Sequence, residues 1–163
     1  MHVSRLTQLF VVLAIVLAWA GSGSSAADKK AGLVLSKMEK DIVDLTNKER
    51  AKQKLPPLKL NLLLFQTARK HSANMAKQNK LAHELDGKGP FDRMKAEGYD
   101  APGGENCAAG QKTAAEAVAA WMADKGHREA ILDEAFTAIC VGAVPNAKGM
   151  LYYTQDFGKA KVE

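Results

Sequence analysis

At 163 residues, 47% of them hydrophobic and 25% charged, the chain is long enough for one ordinary domain and too short for two. Its formal net charge of +5 comes from lysines and arginines scattered over helical faces rather than massed in a block. No basic stripe interleaved with aromatics is present, which argues against nucleic acid as a partner.

Residues 1–27 carry one charge, Arg5, then an apolar run over 9–20 and small residues over 21–27. This order predicts a signal peptide, cleaved after Ala20 or near Ala26 and Ala27, and hence an exported protein: secreted, periplasmic or held at the cell envelope. The apolar run is shorter than the roughly 20 residues that a membrane span needs. Loss of Arg5 lowers the net charge from +5 to +4. Residues 28–35 form a polar leader, 36–158 the domain and 159–163 a tail.

Ser36 and Glu39 stand at capping-box spacing, and Leu35, Met38, Ile42 and Leu45 recur at helical intervals. Pro56 and Pro57 end this first helix within 52–55. Asn61 caps a second helix that runs to about Lys80, with Leu64, Ala68, His71 and Met75 on one face. That placement makes His71 a core or boundary histidine rather than a ligand. Residues 81–104 are rich in glycine and polar groups, a long loop on either side of one short helix. Pro90 suits its first turn, Phe91 and Met94 pack inward, and Gly98 caps its end.

A strand follows over 104–110. Thr113 and Glu116 form a second capping box, ahead of the stripe Ala114, Ala117, Val118, Trp121 and Met122. A further short helix occupies 127–132. The apolar stretch 137–144, the turn "PNAKG" and the β-favouring "MLYYTQDF" make a closing pair of strands. Helices come first and strands cluster late. The class is therefore α+β, with an antiparallel sheet of about three to four strands covered by helices.

Cys107 and Cys140 are an even count, compatible with one disulfide in an exported chain. Both also sit in apolar settings that suit free cysteine. Bridge and free thiols both stand, since the sequence does not say whether the two Cα atoms come within about 7 Å.

Several chemistries are excluded. "HELDG" at His83 has Gly87 where a zinc protease needs its second histidine. There is no Gly-x-Ser-x-Gly turn and no phosphate-binding loop. Cys107 has only Ala108 and Ala109 beside it to lower its pKa. Four polar groups remain. Asp124 falls near the buried stripe by helical phase, or else caps the next helix. His127 opens that helix, whose positive end favours the neutral imidazole. Glu105 lies in "GGENC", and His83 stands at the mouth of the glycine-rich loop. Two imidazoles and two carboxylates suit a divalent metal, zinc or calcium, or acid–base work.

The segments "LTNKERAKQKLPPLKLN" (45–61), "ARKHSANMA" (68–76), "LAH" (81–83), "RMKAEGY" (93–99), "GGEN" (103–106), "AVAAWM" (117–122), "GHREAIL" (126–132) and "YYTQDFG" (152–158) occur in one order. In this the chain resembles the CAP superfamily of cysteine-rich secretory, antigen 5 and pathogenesis-related proteins, in its compact bacterial branch. The resemblance implies an α-β-α sandwich with a cleft lined by two histidines and two acids. Position by position these are His83, Glu105, Asp124 and His127. Tyr152 stands where many eukaryotic relatives carry their second cleft histidine, and several disulfides of that branch have no counterpart.

Relatives have been linked to lipid, sterol and metal binding, proteolysis and defence. The expected function is a monomeric binding module for a divalent cation, a small ligand, a lipid or an extracellular protein. The alternative is a hydrolase in which His83 and His127 hold a metal and Glu105 orients or deprotonates water. In the third reading the four groups form a structural hydrogen-bond network.

Overall fold

A computed structural model describes residues 33–159. The signal peptide expected over 1–27, most of the leader and the tail beyond Lys159 lie outside the described residues. In chain order the elements are α1 (Lys37–Lys52), β1 (Lys59–Leu60), α2 (Leu62–Gln78), α3 (Pro90–Ala96), β2 (Pro102–Ala109), α4 (Ala114–Ala123), α5 (Lys125–Leu132), β3 (Ala138–Pro145) and β4 (Leu151–Gly158).

The strands form one sheet in the order β1-β3-β4-β2. β4 is central and pairs antiparallel with both β3 and β2, while the two-residue β1 lies parallel on β3 at the edge. Facing residues in a ladder share a face of the sheet. Glu105 faces Asp156 across β2 and β4, and Asp156 in turn faces Cys140 on β3.

That face packs under α2 and α3. Leu64, Met94, Tyr99 and Cys140 form one apolar cluster there, and Met75, Leu85, Cys107 and Tyr152 another. The opposite face, with Val141, Tyr153 and Phe157, packs against Ile42 of α1, Trp121 of α4 and Ile131 of α5. The result is a three-layer sandwich.

Local chemistry explains why the layers hold. Ser36 Oγ accepts from the Glu39 backbone N–H, and Glu39 Oε2 accepts from that of Ser36, so the expected capping box forms. The same buried carboxylate accepts from Arg69 of α2 at 2.6 and 2.8 Å and from the Ala143 N–H at 3.1 Å. One glutamate thus caps α1 and ties it to α2 and β3. Gly142 lets α2 lie hard against β3: a Cβ there would come within 2.5 Å of the Ala68 backbone. Ser72 Oγ uses that closeness to donate to the Gly142 carbonyl at 3.0 Å.

Two expectations change. Met94 is buried as expected, but Phe91 is exposed. Cys107 and Cys140 are free, and β4 lies between their strands. Neighbouring strands are about 4.7–4.9 Å apart, so two steps exceed the roughly 7 Å that a bridge allows. The disulfide left open by the sequence is not made.

Candidate histidine cleft

The site begins at β2. Strand alternation turns Glu105 toward α2 and α3, and Asn106 toward α5. The Glu105 side chain is 1% exposed. Its Oε1 accepts from His83 Nδ1 at 2.8 Å and its Oε2 from Arg93 Nη2 at 2.5 Å. His71 Nε2 lies 4.0 Å away. Burial pushes the Glu105 carboxyl up, but the His83 hydrogen bond and the Arg93 charge outweigh it and hold the group below its ordinary value, ionised. His83 is raised in return, chiefly by its bond to Glu105. His71 is lowered, chiefly by burial, and donates from Nε2 to the Ala82 carbonyl at 2.8 Å, a core histidine as its helical position implied.

Asp156 faces the same spot from β4. It is fully buried, no N–H or hydroxyl group donates to it, and its side-chain hydrogen bond is to the Glu105 carboxylate. Burial first, then the Glu105 charge, push its carboxyl well above the ordinary range. One carboxyl of the facing pair is ionised and the other holds its proton.

His127 enters from α5. Its ring centre is 6.3 Å from that of His83, with the planes tilted by 48°. Asn106 Nδ2 donates to the His127 carbonyl at 3.1 Å and to Gln155 Oε1 at 3.0 Å, and Gln155 donates to Thr46 of α1 at 2.8 Å. A polar line through the core therefore sets the height of α5.

Of the expected site residues, His83, Glu105 and His127 are brought together. Asp124 is not on the buried stripe. α4 ends at Ala123, so helical phase no longer applies to Asp124, whose backbone is extended. It caps α5 by accepting from the His127 N–H at 2.9 Å, which holds its carboxyl below the usual range. Its Oδ1 is also 3.4 Å from His127 Nδ1. Tyr152 is corrected too: it is 2% exposed and packs with Met75 and Leu85 in the core.

Cys107 completes a set that the residue pattern did not suggest. His71, Glu105 and Cys107 offer nitrogen, oxygen and sulfur atoms within 4.8 Å of one another. Each is already engaged or protonated. Glu105 serves His83 and Arg93, His71 Nε2 serves Ala82, and burial with the nearby Glu105 pushes the thiol far up. Asp156 had a signal in the alternation of "YYTQD", which puts it on the face of Tyr152 and Thr154; Arg93 had none in its spacing.

A sequence profile described as the cysteine-rich secretory protein family, CAP, matches residues 43–157. The uncharacterized protein YkwD of Bacillus subtilis is 44% identical over 127 residues, covering 77% of this chain and 49% of its own length. The uncharacterized membrane protein YlbC of the same organism is 32% identical over 137 residues, covering 83% of this chain and 38% of its own. The chain thus spans half or less of the curated relatives it matches.

Among solved structures, an extracellular SCP-domain protein of Bacillus anthracis superposes with a TM-score of 0.69 at 28% identity, over 79% of this chain and 45% of the other. An outer surface protein of Borrelia burgdorferi gives 0.68 at 22% identity, over 75% and 92%, a likeness of fold. Among the described residues no helix is long and apolar enough to cross a membrane.

Proposed function

Because the chain belongs to the cysteine-rich secretory protein (CAP) family, we propose that it is an exported binding module whose cleft takes a divalent cation between His83 and His127. The observation that carries this reading is the orientation of the two rings. His83 donates from Nδ1 to Glu105 at 2.8 Å, and Asp124 Oδ1 lies 3.4 Å from His127 Nδ1 while it accepts from the His127 backbone N–H. Metal-binding histidines are commonly held in this way, since a partner on one nitrogen fixes the tautomer and leaves the other as a lone pair.

The donor set fits such an ion. A metal–nitrogen bond of about 2.0–2.1 Å puts an ion roughly 3 Å from a ring centre. Two imidazoles on one tetrahedral ion would stand with ring centres about 5 Å apart, so the observed 6.3 Å closes on an ion with a shift of about 1 Å in the half-exposed His83 ring. Imidazole donors favour zinc over calcium, which prefers oxygen. When bound, the cation would supply an electrostatic anchor with open positions for a ligand. The chain's own contribution is to hold His83 through Glu105 and His127 through Asp124 and Asn106.

The hydrolase alternative has less support. Glu105 has both oxygens engaged and is shielded from solvent, which does not suit a base for water. A purely structural network would not need side chains as open as those of His83 and His127, which are 51% and 30% exposed. Export is supported by residues 1–27 and by the extracellular description of the Bacillus anthracis relative.

Calorimetric titration with zinc chloride tests the reading. One equivalent is expected in the native protein, with affinity falling about tenfold or more in His83→Ala and in His127→Ala. Absence of binding in the native protein, or native-like affinity in both variants, would rule it out.

A further inference from the structure

We infer that Arg93 is the positioning residue of the cleft, the group that sets where His83 stands and how its ring is turned. The inference rests on the cation reading of the cleft and adds to it a residue that does not face the ligand.

Arg93 projects from α3, and its side chain is 13% exposed. Its guanidinium reaches two separate parts of the chain. Nη1 donates to the carbonyls of His83 and Lys88, both at 2.8 Å, and Nη2 donates to Glu105 Oε2 at 2.5 Å. The first two acceptors belong to the loop between α2 and α3. The third belongs to β2. Of the backbone hydrogen bonds within that loop beyond the end of α2, one pair joins Leu85 and Lys88. Otherwise its course past His83 is held from outside, by His71 at the Ala82 carbonyl, by Asn74 and Gln78 of α2 at the Asp86 carboxylate, and by Arg93 on either side of the Leu85–Lys88 turn. Arg93 therefore fixes both ends of the His83–Glu105 contact: the backbone that carries the imidazole and the carboxylate that orients it.

Charge and shape both enter. A carboxylate that is 1% exposed would be costly unless paired, and Arg93 is the permanently charged group bonded to it. Glu105 can then accept from His83 Nδ1 while its own charge is balanced elsewhere. The fork geometry matters as well, because one planar guanidinium meets three acceptors that the single ammonium of a lysine could not reach together.

Simple electrostatics and positioning give opposite signs. A fixed positive charge near a cation site repels the cation, so removing it should tighten binding. If Arg93 positions His83, removing it should weaken binding.

Arg93→Met and Arg93→Lys decide between the two. Zinc affinity by calorimetry is expected to fall about tenfold or more in Arg93→Met, with Arg93→Lys between that variant and the native protein. A readout independent of metal accompanies it. In metal-free protein the long-range nitrogen–proton NMR pattern of the His83 ring, set by Nδ1–H bonding to Glu105, should change in both variants while that of His71 is kept. Equal or tighter zinc binding with an unchanged His83 pattern, in a variant that retains near-ultraviolet dichroism, overturns the inference. Should Arg93→Met fail to fold, Arg93→Lys is judged by the same two criteria. If the native protein binds no zinc, the cation reading fails by itself, and the His83 pattern alone decides the role of Arg93.

Discussion

Asp156 sits in the middle of the sheet with no N–H or hydroxyl group donating to it, hydrogen-bonded to the ionised Glu105 opposite. Its folded pKa is raised by burial and by Glu105, so the folded state binds its proton more tightly than the unfolded chain does. The stabilising effect is complete below the unfolded value near 3.8 and is lost as pH rises through the folded value. Across that window the loss amounts to as much as about 1.4 kcal/mol per pH unit for one proton. Asp156→Asn keeps the shape without the proton. Urea unfolding between pH 4 and 8 should therefore show a shallower decline for the variant and higher stability at neutral pH.

Single residues also mark the limit of what spacing conveys. His71 was legible as a core histidine because its helix continues through it. Asp124 was legible in two ways, as a stripe residue and as the cap of the next helix; the cap reading holds, because α4 ends at Ala123 and helical phase does not extend to 124. Arg93 sits on a seven-residue helix whose spacing gives no hint of what its head group meets.

At the scale of elements, α5 is held by two side chains from other elements, one in the sheet and one in α1. Asn106 fixes its first turn through the His127 carbonyl, and Arg50 of α1 fixes its end. Arg50 is 1% exposed and donates to the carbonyls of Ile131 and Asp133 at 2.8 Å, of Pro56 at 3.0 Å and of Phe136 at 3.3 Å. Arg50→Met would leave buried acceptors unpaired, at about 1–3 kcal/mol for each that water does not reach. Thermal unfolding should show a loss of at least about 2 kcal/mol, together with weaker zinc binding as His127 loosens.

The longer helices were legible from periodicity and caps, because Ser36, Asn61 and Thr113 satisfy N-terminal N–H groups locally. β1 was not. It is two residues long and exists through its pairing with β3, a partner far along the chain. The start of α5 was placed two residues late, since its first turn is Lys125 and Gly126, which carry no apolar signal.

For the whole molecule, the α+β class followed from helices preceding strands, and the layering followed from the ordered set of family segments. The meeting of His83 with Glu105 and His127 followed only from that resemblance. Their contact is made by loop, strand and helix brought together in space, which no local spacing encodes. The free cysteines are a property of the sheet as a whole, since their separation is set by the strand between them. Protein purified without reductant should yield two reactive thiols per chain once unfolded, and its melting temperature should not move on adding reductant. A single bridged pair, with no reactive thiol, would contradict the strand order.

Gly142 bears on how such a protein can change over generations. Its missing side chain is what lets α2 settle on β3, and α2 carries His71, which holds the Ala82 carbonyl next to His83. A methyl group at 142 would displace that helix, and the disturbance would reach the cleft through a residue that never touches its contents. A side chain at 142 is therefore excluded by the packing of α2 on β3, although the position lies outside the cleft.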